Sequence, residues 1–125
     1  MQIRHPSDVL NYIKIANKKW EHFGVILLNG NHEIIKNKVL FVGGLSAATV
    51  DLRVVFYTAI KNLASGIIVY HNHPSGNCEP SKQDLETTKR LKDAGKLLGI
   101  QLLDHVIVGK GNYMSFMEYD LLEEK

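Results

Sequence analysis

Gly66-Ile67-Ile68-Val69-Tyr70-His71-Asn72-His73-Pro74 changes character halfway along. Ile67 to Tyr70 is apolar and β-branched without alternation, the pattern of a strand buried on both faces. The second half is polar and carries two histidines in alternate positions. Pro74 cannot donate to a sheet ladder and ends the pairing. A polar loop runs from Asn72 to Pro80. Ser81 then caps a helix that reaches about Leu98, where Gly99 ends it.

Upstream of this strand, Leu52, Val55, Phe56, Ala59, Ile60 and Leu63 recur at helical spacing, which predicts an amphipathic helix over residues 50–63 with Gly66 as its stop. Earlier still, Phe23 to Leu28 and Ile34 to Val42 read as two strands around Asn29-Gly30-Asn31, a hairpin signal. Pro6-Ser7-Asp8 opens a helical lead-in over residues 1–20, with Ser7 as its cap and Val9, Leu10, Ile13, Ala16 and Trp20 as its apolar stripe. Downstream, Ile100 to Val108 is a further strand, turned by Gly109-Lys110-Gly111-Asn112 into a short strand at Tyr113 to Phe116, and Glu118 to Lys125 forms a last helical turn. The order predicts a mixed sheet with helices packed on it, an α/β or α+β sandwich.

The 125 residues suffice for one domain, and a 45% hydrophobic, 22% charged composition excludes a disordered chain. No apolar run approaches the roughly 20 residues of a membrane span, and Met1 to Pro6 has no signal core. The single cysteine, Cys78, has no internal partner, so the expected compartment is the cytoplasm. A net charge of +2 falls short of the basic face of a dedicated nucleic-acid domain. The densest basic stretch, Lys82 to Lys96, is interrupted by Asp84, Glu86 and Asp93, as on a solvated helix face.

The chemistry concentrates at the end of the buried strand. His71 and His73 point to the same side if strand geometry persists that far. Asp84 lies on the first turn of the next helix, which can lead back over the strand end. Two imidazoles and one carboxylate then converge on one point. That ligand set suits Zn²⁺ and leaves a fourth position for water, which separates a catalytic zinc site from a structural one. In this composition the spaced pattern arises by chance about once in 10⁵. The bland alternative is two surface histidines in a loop and an aspartate favoured by the helix dipole. The literal tripeptide His71-Asn72-His73 is not the HNH nuclease motif, whose residues are spread over a long ββα-metal unit.

His71-x-His73-Pro74-x₆-Ser81-x₂-Asp84 resembles the zinc motif of the JAMM metalloproteases, the catalytically equipped MPN domains. The longer string His71-Asn72-His73-Pro74-Ser75-Gly76, with Leu103-Asp104-His105-Val106-Ile107-Val108-Gly109 downstream, is similar to the RadC branch of that family. The resemblance covers about Trp20 to Met117 and implies a cytidine-deaminase-like sandwich with its motif-bearing core in residues 21–117 of a single domain spanning 1–125. RadC proteins typically carry a helix-hairpin-helix region before this domain. About twenty residues precede it here, so a DNA-binding role credited to that region is not carried over. Gly43-Gly44-Leu45 departs from the usual Gly-Thr.

The resemblance implies one Zn²⁺ per chain, held by His71, His73 and Asp84, and hydrolysis of an amide or isopeptide bond in a peptide substrate. It also implies a glutamate on the first strand, which Glu21-His22-Phe23 supplies. There Glu21 would act as general base and then as acid to the leaving amine. Glu33, beside the hairpin turn, is the competing candidate. Ser81 has two compatible readings, as helix cap and as support for the oxyanion of the tetrahedral intermediate. Asp104 and His105 are either a pair that orients a ligand histidine or a structural hydrogen bond.

Two rivals follow. A non-enzymatic binding module would keep the zinc for stability, with Cys78 or His105 closing the fourth position. A DNA-processing factor would take nucleic acid as its partner, against the near-neutral charge.

Overall fold

The computed structural model describes residues 2–44 and 49–122. Its sheet is five-stranded, in the order β2-β1-β3-β4-β5. The strands are β1 (His22–Leu28), β2 (Ile34–Val42), β3 (Gly66–Asn72), β4 (Gln101–Gly109) and β5 (Asn112–Ser115). Helix α1 (Leu52–Lys61) precedes β3, and α2 (Lys82–Leu98) joins β3 to β4. Strands β3 and β4 run parallel, and the other neighbours are antiparallel. The mixed α+β sandwich expected from the element order is the fold observed.

β3 is buried along its whole length, as its unbroken apolar run predicts. Phe23, Val25, Leu27, Ile67 and Val69 form one side of a core with Val55, Phe56 and Ala59 of α1 and Leu91 of α2. Alternation sends Ile26, Leu28, Ile68 and Tyr70 to the opposite face. That face is covered by the N-terminal segment, through Ile3, Val9, Ile13 and Ile15. Both α-helices therefore pack against the same side of the sheet.

The N-terminal lead-in differs from its sequence pattern. It is a 3-10 helix, Pro6–Asn11, capped by His5 rather than Ser7. The Asp8 carboxylate folds back to accept the N–H groups of Arg4 and His5 at 2.9 and 3.0 Å. Beyond it the chain runs irregularly across the sheet, and Trp20 is 68% exposed. The helix over residues 50–63 is shorter than its periodicity suggests. Leu63 adopts a positive φ of 52° and is 86% exposed, while Ile60 faces solvent. Gly66 is not the helix stop but the first residue of β3, where a Cβ would meet the Leu103 side chain. The hairpin turn extends past Asn31 to Glu33, closed by Asn29 Oδ1, which accepts from the N–H groups of both. After β5 the chain makes turns to Asp120 rather than a helix. Residues 123–125 of that expectation, and Leu45, lie outside the described residues.

Helix α2 has the limits read from its caps. Ser81 Oγ accepts the Asp84 N–H, and Gly99 closes the helix at φ 72°. Gly95 lets α2 approach the start of β4, since a Cβ there would lie 2.2 Å from the Ile100 carbonyl oxygen.

Candidate metal centre

The site forms where β3 ends and α2 begins, outside the carboxyl end of a parallel strand. His71 lies on the α2 side of the sheet with Val69 and Ile67. Its ring stacks on Phe23, the residue paired with it across β1, at a centroid distance of 6.2 Å. Strand-like backbone persists to His73, whose N–H donates to the Val108 carbonyl at 3.0 Å. Both histidines therefore point to the helix side, as their alternate positions imply.

The fold of α2 aims the carboxylate. In a reciprocal cap, Asp84 Oδ2 accepts the Ser81 N–H at 2.9 Å while Ser81 Oγ accepts the Asp84 N–H at 3.0 Å. Asp84 then presents Oδ1 to His71 Nε2 and Oδ2 to His73 Nε2, both at 3.1 Å. The two Nε2 atoms are also 3.1 Å apart. Among the described residues these three form the one group of His, Cys, Asp or Glu side chains whose ligand atoms all lie within 4.8 Å of one another.

The donor set fits a divalent cation. His73 Nδ1 faces the Asn77 carbonyl oxygen at 2.7 Å, and a carbonyl can only accept. The neutral ring therefore carries its hydrogen on Nδ1 and turns a bare Nε2 toward Asp84. Nitrogen lone pair and carboxylate oxygen then face each other with nothing between them, an arrangement a cation relieves. Two imidazoles and a carboxylate are a ligand set suited to zinc, with room for a fourth ligand.

The electrostatics describe the other protonation state, in which the imidazoles carry a hydrogen on Nε2. Burial then pushes the Asp84 carboxyl up, but hydrogen bonds from His71 and His73 and the Ser81 N–H outweigh it and hold the group well below the usual carboxylate range. The Asp84 carboxylate raises the His73 imidazole against the opposing effect of burial, and the charge of Glu21 adds to the rise.

Glu21 immediately precedes β1. Phe23, two residues further on, pairs with His71, and the negative charge of Glu21 reaches the His73 imidazole. Glu33 sits at the other end of β1, beyond the pairing of Leu28 with Gly66, and accepts from Asn29 Nδ2 at 3.1 Å. Five residues of strand put it roughly 17 Å along the sheet from the triad.

The Asp104-His105 pair divides between the two faces. Ile67 pairs with Leu102, but Ile68 pairs with Asp104, so Leu103 is an extra residue on β4. The bulge reverses the alternation beyond it. His105 consequently faces α2, where its Nε2 lies 2.8 Å from His71 Nδ1 and its Nδ1 lies 2.6 Å from Thr88 Oγ1. Burial pushes the His105 imidazole well below its ordinary value. Asp104 points away, accepting from Ser115 Oγ at 2.6 Å and the Met117 N–H at 3.0 Å. Burial raises its carboxyl despite these bonds.

Cys78 is directed to the far side of its loop. It packs with Ile107, Met114 and Phe116, and its Sγ lies 3.2 Å from Asn112 Oδ1. Both ring nitrogens of His105 are likewise engaged. Neither residue belongs to the three-ligand group.

Two residues without a role in the sequence reading shape the site. Asn72, fully buried, accepts the His22 N–H at 2.6 Å and donates to the carbonyls of Lys18 and Trp20. It thereby ties the segment carrying Glu21 to the end of β3. Thr88 stands one turn beyond Asp84, a spacing of four that a helical projection of α2 displays.

A family model described as RadC-like JAB domain matches residues 3–121. UPF0758 protein SH1266 of Staphylococcus haemolyticus is 47% identical over 120 residues, covering 94% of this chain and 53% of the relative. A UPF0758 protein of Clostridium tetani is 45% identical over 123 residues, covering 96% and 54%. UPF0758 protein lmo1549 of Listeria monocytogenes is 43% identical over 118 residues, covering 93% and 53%. The chain thus spans about half the length of the curated relatives it matches. No helix among the described residues is long and apolar enough to cross a membrane.

Proposed function

Because this chain belongs to the RadC-like JAB domain family, we propose that it is a zinc-dependent hydrolase that cleaves an amide or isopeptide bond. The observation that carries this reading is the convergence of His71, His73 and Asp84 on one point, with both Nε2 atoms turned inward. In this reading the three side chains hold the metal. Zinc, when bound, acidifies a water towards neutral pH and polarises the scissile carbonyl.

The remaining roles belong to the chain's own residues. Glu21, fastened at the edge of the site through Asn72, takes a proton from the attacking water and delivers it to the leaving nitrogen. The Ser81 hydroxyl accepts from the Asp84 N–H, which leaves its own hydrogen free to donate to the oxygen of the attacked carbonyl. Three protein ligands favour this reading over a closed structural zinc site, since Cys78 and His105 are engaged elsewhere.

The test is hydrolysis of peptide and isopeptide substrates by the zinc-loaded protein and by Glu21→Gln. Glu21→Gln is expected to retain the metal and to lose activity by about 10²-fold or more. Unchanged activity in this variant would refute the role of Glu21. Absence of hydrolysis across both substrate classes by the loaded wild type would refute the enzymatic reading.

A further inference from the structure

We infer that Thr88 and His105 form a directional hydrogen-bond relay that fixes the tautomer of His71, so that its Nε2 is held bare toward the metal position. The inference rests on the metal-site reading above and adds two positioning residues to it.

The direction follows from the one hydroxyl hydrogen in the chain of contacts. Thr88 Oγ1 donates to the Asp84 carbonyl oxygen, one turn back on α2, at 2.7 Å. Its only hydrogen is thereby used, so toward His105 Nδ1, at 2.6 Å, the same oxygen accepts. His105 then carries its hydrogen on Nδ1 and has a bare Nε2. That nitrogen, 2.8 Å from His71 Nδ1, accepts the hydrogen of His71. A neutral His71 is left with a bare Nε2, the atom facing Asp84 Oδ1. The relay begins on the backbone of the residue whose side chain it serves, because Asp84 supplies both the terminal carbonyl and a ligand carboxylate.

The surroundings hold the relay rigid. Thr88, His71 and His105 are all buried. Phe116 stacks on His105 at 4.7 Å with an interplanar angle of 12°, and Phe23 meets the same ring edge-on. The rings have fixed planes, so the direction set by the Thr88 hydroxyl's bond to the Asp84 carbonyl carries through both of them. His73 reaches the same outcome by a shorter route, through the Asn77 carbonyl. Ligand histidines whose second nitrogen is engaged in this way bind metal more tightly, typically by about 10–100-fold over variants lacking the partner.

Thr88→Val removes the hydroxyl at nearly constant shape, and Thr88→Ser restores it. Zinc affinity would be measured by competition with a chromophoric chelator, and the His71 tautomer by ¹⁵N-resolved imidazole correlations in metal-free protein. We expect Thr88→Val to lose at least about tenfold in zinc affinity and to show a mixed His71 tautomer, with Thr88→Ser close to wild type in both. Asp104→Asn, on the other face of β4, is expected to leave the tautomer unchanged. Zinc affinity within about twofold of wild type in Thr88→Val, together with an Nδ1–H tautomer as in wild type, would overturn the relay. A wild type that takes up no zinc would refute the metal reading instead, and the tautomer would still decide the relay.

Discussion

The Asp84 oxygen that accepts the Ser81 backbone N–H at 2.9 Å is the same oxygen that faces His73 Nε2 at 3.1 Å. A helix cap and a candidate metal ligand are thus one carboxylate. The cap orients Asp84 through the backbone of residue 81, so the ligand geometry does not need the serine hydroxyl. The hydroxyl caps the helix from the other direction, and under the proposed function it is the group that meets substrate.

Ser81→Ala separates those contributions. It removes the bond from the Asp84 N–H, worth about 1 kcal/mol of stability, which denaturant unfolding reads. It keeps the Ser81 N–H, so bound zinc is expected to be unchanged. The proposed oxyanion role predicts a loss of about 10²-fold in kcat on a cleavable peptide. A fall of only a few-fold would leave Ser81 as a cap alone.

Gly95 tests the packing that sets α2 against the sheet. A Cβ at this position would lie 2.2 Å from the Ile100 carbonyl oxygen, which is backbone and cannot swing away. Gly95→Ala therefore gains helix propensity and loses more through overpacking, for a net destabilisation of about 1–3 kcal/mol by chemical denaturation. A stabilised variant would contradict the close approach.

Tyr70 predicts an alkaline dependence. Burial pushes its hydroxyl up to about 12 from 10.0. The unfolded chain releases this proton near 10 and the folded chain near 12. The contribution is therefore fully present below about pH 10 and falls by about 1.4 kcal/mol per unit as the pH rises toward 12. The unfolding free energies of wild type and Tyr70→Phe, compared from about pH 9 to about pH 11.5, should converge or cross as the wild type loses that contribution. Parallel profiles would show that the ring is not buried as described.

Cys78 tests the number of protein ligands. Its thiol is pushed up by burial and contacts Asn112 rather than the triad. Cys78→Ala should retain the wild-type zinc stoichiometry, and X-ray absorption of the zinc-loaded protein should show no sulfur neighbour. A sulfur scatterer near 2.3 Å would replace the open site by a closed one.

Much of this architecture was legible in the chain. The unbroken apolar run of Ile67 to Tyr70 announces β3 because burial on both faces demands it, and Ser81 with Gly99 bounds α2 because capping chemistry is local. The alternate spacing of His71 and His73 needed only strand backbone, which persists to His73. What escaped depends on partners distant in sequence. The single extra residue Leu103 decides which of Asp104 and His105 faces α2, and a bulge leaves no mark in the composition. Ile60 and Leu63 continue a helical period that the chain abandons at Leu63. Val9 and Ile13 have helical spacing, but Asp8 spends its carboxylate on the N–H groups of Arg4 and His5, and a 3-10 turn results. Asn72 and Thr88 gain their roles only when β1 and β4 are brought beside β3 and α2.

The central claim is that His71, His73 and Asp84 hold a metal ion. Elemental analysis of purified wild type beside His73→Ala and Asp84→Ala tests it most directly. The account predicts about one zinc per wild-type chain and its loss from both variants, with each variant still folded by circular dichroism. A folded wild type that carries no zinc, even after incubation with the metal, or variants that retain it, would contradict the account.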